Sequence, residues 1–204
     1  AALGFDKSDL MLTRDGVSVD MSSAELATAD GKAWSLTGLA GVTASSGAYV
    51  LTLGTSDITD ELGNALIAGA SETFVVDASP PTVSIVPVSP DPRNSAVGSI
   101  GIEFSEPVSG FDLSDLALTR DGVAVSLSGA VLSSVDQVAW TLSGLSPLTA
   151  GSGSYVLTLD AGGITDGLGN GLAGGAAESF VVDATSPTVS IVPVSPDPRN
   201  SAVG

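Results

Sequence analysis

The chain has no cysteine and no histidine. Disulfides and thiol chemistry are thereby excluded, and so are Ser-His and Cys-His nucleophile pairs and most zinc sites. The polar chemistry left is carboxylates, hydroxyls, four Arg and two Lys. Basic residues are scarce as well: 6 Lys and Arg stand against 23 Asp and Glu, for a formal net charge of -17. A chain of that sign repels phosphate backbones and anionic head groups, so nucleic acid and membrane surfaces are excluded as expected partners. Aromatic residues make up only 4% while hydrophobic residues make up 43%. The core is therefore expected from Val, Leu, Ile and Ala, a composition that favours strands. No apolar run approaches the roughly 20 residues that span a bilayer, and no signal peptide is expected from the opening residues. With charged residues at 14% and ample apolar material, the chain does not read as a disordered acidic tail.

What is present is repetition. PTVSIVPVSPDPRNSAVG occupies residues 81–98 and recurs letter for letter at 187–204. The same offset of 106 residues carries Phe5 onto Phe111, Trp34 onto Trp140, Tyr49 onto Tyr155, Asp77 onto Asp183 and Pro81 onto Pro187 without a gap. Residues 1–98 match 107–204 at 64 of 98 positions, which requires one fold and one set of loop lengths in both copies. The expected division is 1–80 as a repeat lacking its opening, 81–186 as a complete repeat, and 187–204 as the opening of a third. The counterpart of 81–106 is missing ahead of residue 1. Because the chain opens and closes partway through a repeat, its termini carry no information on targeting.

Within a repeat, period-2 alternation predicts strands. Ile100, Ile102 and Phe104 alternate with small or polar residues in SIGIEF at 99–104. Asp15-Gly16 and Asp121-Gly122 lie between alternating runs and predict two-residue hairpins. Further strands are expected over 24–27 and 130–135. They precede one that carries Trp34 and Leu36, or Trp140 and Leu142, on a shared core face. Tyr155, Leu157 and Leu159 face one way in the strongest strand, with Val156 and Thr158 opposite. The entry Gly-x-Tyr predicts a tyrosine corner or a Tyr at a sheet rim. In the Gly-rich segment 161–179, Ile164 and Leu172 are expected to pin the loop while Gly169 and Asn170 turn it, ahead of a strand over 179–183. Pro80, Pro81, Pro87, Pro90 and Pro92 predict a stiff connector leading to an edge strand in TVSIVPV. No window shows sustained 3.6 periodicity.

The order FSEPVSGFDLSDLALT, SYVLTL, ITDGLGNGLA, ESFVVD and SPTVSIVPV, met twice, resembles the bacterial Ig-like repeats of large secreted adhesins and surface-fibre proteins. The resemblance implies an all-β chain of tandem Ig-like antiparallel β-sandwich domains. It also implies a location outside the cell or at its surface, and use as a spacer or stalk. Some members of that group carry calcium near such GN turns and near the Asp that ends the last strand. The matching positions are Asp60, Asn64, Asp77, Asp166, Asn170 and Asp183, with Glu106, Asp112 and Asp115 as contributors; the alternative is that these residues cap turns and strand ends. No dense D-x-D-x-D loop is present and no cofactor is required. Other members are locked by Lys-Asn isopeptide bonds, but Lys7 and Lys32 align with Leu113 and Val138, so a cross-link common to both copies is excluded.

Three functions follow in descending expectation. A structural repeat gains reach by adding modules. A ligand- or glycan-binding module would gain avidity from repetition, although its two Trp lie in strand-like runs that suit a core. An enzyme is not expected: Asp112 and Asp115 could pair for acid-base work, but no His or Cys supports them. The expected partners are neighbouring repeats or other copies met head to tail, with residues 187–193 of one chain pairing onto the 1–77 module of the next. In such a join only the eight residues SIGIEFSE are missing from the completed repeat.

Overall fold

Asp-Gly turns start the chain's hairpins as the sequence requires. In the computed structural model, which describes residues 1–195, 197–198 and 200–202, Asp15 and Gly16 have φ of 51° and 81° and Asp121 and Gly122 have 51° and 78°. Both central residues are left-handed, the geometry that matches strand twist in a two-residue loop. The chain divides into two units: Ala1–Pro80 with the turn Leu168–Asn170, and Pro81–Gly167 with Gly171–Gly204.

In the first unit, β1 (Leu10–Arg14) and β2 (Val17–Val19) form the hairpin, followed by β3 (Glu25–Thr28), β4 (Trp34–Thr37), β5 (Gly47–Leu53) and β6 (Ala70–Val76). One sheet has the order β2-β1-β5-β6, all antiparallel, and β3 pairs with β4 in a separate two-stranded sheet. Leu12, Met21, Ala24 and Tyr49 make its buried cluster, with Leu10, Leu36, Leu39, Leu51 and Phe74 partly buried around it.

The second unit adds what the first lacks. It runs through β7 (Val83–Ile85), β8 (Ser99–Phe104), β9 (Leu116–Arg120), β10 (Val123–Val125), β11 (Val131–Ser134), β12 (Ala139–Ser143), β13 (Gly153–Leu159) and β14 (Ala176–Val182). Two four-stranded sheets result, β10-β9-β13-β14 and β11-β12-β8-β7. Their inner faces share one core that includes Ile100, Ile102, Phe104, Leu118, Leu142, Leu145, Tyr155, Leu157, Leu159 and Phe180. This is an antiparallel β-sandwich of the expected class. Trp140 and Leu142 share a face, opposite Ile102 and Ile100 of β8.

The tyrosine corner is present in both units: Tyr49 Oη donates to the Ser45 carbonyl and Tyr155 Oη to the Gly151 carbonyl, each at 2.8 Å. Ile164 and Leu172 are buried and pin their loop, and Gly169 makes the turn at φ 92°. Two expectations need correction. The last strand starts at Ala176, inside the Gly-rich segment, because Ala176, Ala177 and Glu178 complete the ladder with Leu159, Thr158 and Leu157. The proline-rich stretch after Pro81 lies within the second unit instead of standing as a connector. β7 is an edge strand as expected, but the chain beyond it crosses to the other sheet and meets β14, with a parallel bridge between Arg93 and Val182. Prolines suit that path because their missing amides face no ladder.

Candidate functional site

The acidic end-loop residues are where the sequence places a candidate site. In the first unit, Asp60 Oδ1 accepts from the amides of Leu62 and Asn64, and its Oδ2 accepts from Asn64 Nδ2, all at 2.8 Å. These bonds, the Asn64 side chain foremost, hold the Asp60 carboxyl below its ordinary 3.8. Asp77 Oδ1 accepts from the Ser79 amide at 2.9 Å, and Asn170 Nδ2 donates to the Asp77 carbonyl at 3.1 Å. In the second unit, Asp183 Oδ1 accepts from the Thr185 amide at 3.0 Å, and its carboxyl is lowered by that bond first.

These residues are divided by the strands that carry them. Asp60 and Asn64 sit in the loop before β6, and Asp77 follows its other end; β14 separates Asp166 from Asp183 in the same way. Seven strand residues span roughly 23 Å at about 3.3 Å each, so one repeat does not gather its three expected ligands at one point. Within the second unit Glu106 and Asp166 do approach, with carboxylate oxygens within 4.8 Å, and Asp166 is buried.

Asp112 and Asp115 have a local task. Asp112 Oδ1 accepts from the Ser114 amide at 2.7 Å, while the Asp112 amide donates to Asp115 Oδ2 at 2.8 Å. That reciprocal pair is a capping box on the single 3-10 turn Leu113–Asp115, and Asp6 and Asp9 repeat it on Lys7–Asp9. Lys7 Nζ donates to the carbonyls of Ser22 and Ala24 at 3.0 and 2.9 Å. The Trp rings pack edge-on against Phe5 and Phe111, at 4.9 and 5.1 Å between centroids, and the Trp140–Phe111 pair belongs to the second unit's core.

Sequence reading missed a second group of polar residues, those that seat the opening segment. In the second unit Glu178 accepts from the Val88 amide at 3.0 Å, and Asp91 Oδ1 accepts from the Val181 amide at 2.7 Å. The fully buried Thr149 hydroxyl accepts from the Val97 amide at 2.9 Å. The available signal was identity between copies, since Glu178, Thr149 and Asp91 recur as Glu72, Thr43 and Asp197.

A family model described as bacterial Ig-like domain matches residues 77–182, slightly over half of the chain. The chain belongs to the bacterial Ig-like domain family, and its units are Ig-like repeat modules. No curated protein matches it in sequence. Similar solved structures are tandem domains of titin. The I-band fragment I67–I69 is 14% identical at TM-score 0.35, covering 85% of this chain and 54% of that one. The A168–A169 pair is 14% identical at 0.33, covering 89% and 87%. The Z1Z2 pair, solved in complex with telethonin, is 17% identical at 0.27, covering 87% and 82%. The chain spans about half the length of the I67–I69 fragment.

Proposed function

We propose that the chain is a run of spacer modules from an extracellular fibre, stalk or large adhesin. The observation that carries this reading is the ungapped 106-residue offset joined to a shared construction: each copy has the same Asp-Gly hairpin, capping box and tyrosine corner. Modules whose loops keep their lengths serve reach, since recognition surfaces diversify their loops. Among the described residues, no helix is long and apolar enough to cross a membrane. Chains of two, four and six repeats measured by small-angle scattering should lengthen by a constant roughly 30 Å per repeat. A maximum dimension that stops growing would reject the spacer reading.

Calcium enters this reading through the second unit, supported by the approach of Glu106 to the buried Asp166. Carboxylate oxygens are the hard ligands that calcium takes. Calcium should raise the melting temperature, and Asp166→Asn should remove the response. If calcium has no effect, Asp60, Asn64, Asp77, Asp166, Asn170 and Asp183 are turn and strand-end caps.

A further inference from the structure

Lys7 in the first unit stands where the second unit has Leu113, and the backbone around the two is built alike. Each opens a 3-10 turn closed by the same capping box, with φ of -141° and -145° and ψ of -177° and -176° at Asp6 and Asp112. Opposite each lies one further turn, in which the Ala24 amide donates to the Met21 carbonyl and the Ala130 amide to the Leu127 carbonyl, both at 2.9 Å.

In the first unit the Lys7 ammonium takes the carbonyls of that turn: Nζ donates to Ser22 at 3.0 Å and to Ala24 at 2.9 Å. Leu113 has no donor for the matching carbonyls of Ser128 and Ala130, and among the described residues no other side chain donates to them. Beside Ser128 lies a hollow of about 440 Å³, with Leu113, Leu116, Leu118, Val125 and Leu127 in its lining. The first unit has the same hollow at about 430 Å³, with Lys7 and Ser22 in its lining. The hollow therefore belongs to the repeat, and in the first unit the chain's own ammonium holds its polar end.

That arrangement specifies an occupant for the second unit. A lysine lays its alkyl stem along apolar surface and keeps its ammonium at the polar rim. Three donors around a compact charge suit two neighbouring carbonyls, whereas a planar guanidinium suits a carboxylate. Residues 81–186 contain no Lys, and two Arg stand against eleven Asp and Glu. The unit thus supplies no ammonium of its own, and its field draws one from outside. β10 borders the hollow and is a sheet edge of three residues, so the approach to it is not covered by a further strand.

We propose that the second unit seats a lysine side chain of a partner protein, with the ammonium on the Ser128 and Ala130 carbonyls and the stem along Leu113 and Leu127. A run of such repeats carries one seat wherever this position is Leu and none where the repeat supplies its own Lys.

The test is a titration of the 204-residue chain with the capped peptide Gly-Lys-Gly, followed by amide chemical shifts, with Gly-Gln-Gly and Gly-Arg-Gly as comparison peptides. The lysine peptide should shift Val125, Leu127, Ser128 and Ala130 saturably, at least tenfold more tightly than either comparison peptide. Leu113→Lys should abolish those shifts and raise the melting temperature of the second unit, because the new ammonium fills the seat. Lys7→Leu should add a second set of shifts at Val19, Met21, Ser22 and Ala24. No saturable shift in the parent chain overturns the proposal, and so does binding that survives Leu113→Lys. Equal binding of the glutamine peptide reduces the seat to an apolar hollow, and equal binding of the arginine peptide removes the preference for lysine; either result overturns it. Self-association of the parent chain that Lys32→Gln removes would place the lysine on a second copy and overturn the assignment to a different partner.

Discussion

Leu36 and Leu142 are the same residue at the same place in the same strand, yet Leu142 is fully buried and Leu36 is partly exposed. Leu39 against Leu145, Leu51 against Leu157, Leu53 against Leu159 and Phe74 against Phe180 differ in the same way. The residues that hold the turns do not differ: Tyr49 and Tyr155 are both fully buried, and Ile58 and Ile164 are both buried. Residues 81–106 account for the contrast. Their β8 pairs along β12 and extends that sheet, setting Ile100 and Ile102 beside Leu142 and Trp140, and their crossing carries the chain to β14 of the other sheet. The comparison separates two contributions. Hairpins, caps and the tyrosine corner form from the local sequence in either unit, whereas the depth of the core depends on the opening segment.

The largest effect should come from setting the opening segment ahead of the first unit. A second copy of residues 81–106 placed directly ahead of residue 1 should bury Leu36, Leu39, Leu51 and Phe74 as deeply as their counterparts. At about 25 cal/mol per Å² of apolar surface this amounts to several kcal/mol, and it should raise the melting temperature of the first unit by about 20 °C. Calorimetry should then merge two transitions into one. Two transitions that stay apart by the original interval would show that the contrast has another origin.

A smaller effect sharpens the same contrast within the existing chain. Leu142→Ala removes a fully buried side chain opposite Ile100 and should cost about 3–4 kcal/mol of second-unit stability. Leu36→Ala acts on a partly exposed site and should cost about 1–2 kcal/mol in the first unit. Urea unfolding followed through Trp140 or Trp34 alone, with the other replaced by Phe, reads the two units separately. Equal costs would mean that exposure at β4 does not weaken the first core.

Most of the fold was legible because its signals are local. Asp-Gly fixes a hairpin through backbone sterics, alternation in SYVLTL fixes a face, and an ungapped offset transfers both to the second copy. The course of residues 86–97 was not legible. Five prolines within thirteen residues read as a connector, and only tertiary partners far along the chain, Glu178 and Val181, show that this stretch belongs to a sandwich. The acidic candidates were legible as residues but not as a site. Sequence places Asp60 and Asp77 seventeen positions apart, and nothing in it shows that β6 sends them to opposite ends of the unit.

The smallest effect concerns the caps, where the two units should behave alike. Asp6 and Asp112 are held below the ordinary carboxyl value of 3.8, first by the Ser8 and Ser114 hydroxyls and then by the amides of the same residues. Asp30 and Asp136 are lowered by the amides of Ala33 and Ala139 before those of Lys32 and Val138. A carboxyl whose folded value is depressed stabilises the fold above its unfolded value, and that contribution is lost as pH falls through the folded value. Both units should therefore lose stability below about pH 3.8, by similar small amounts, because all four groups are exposed and screened. Asp112→Asn keeps an acceptor oxygen for the Ser114 amide and removes the charge that titrates. The difference between urea midpoints at pH 7 and pH 3 should then shrink in the second unit and stay unchanged in the first. If the first unit proves far more acid-sensitive than the second before any substitution, the opening segment governs the caps as well as the core, and the separation of local from long-range contributions fails.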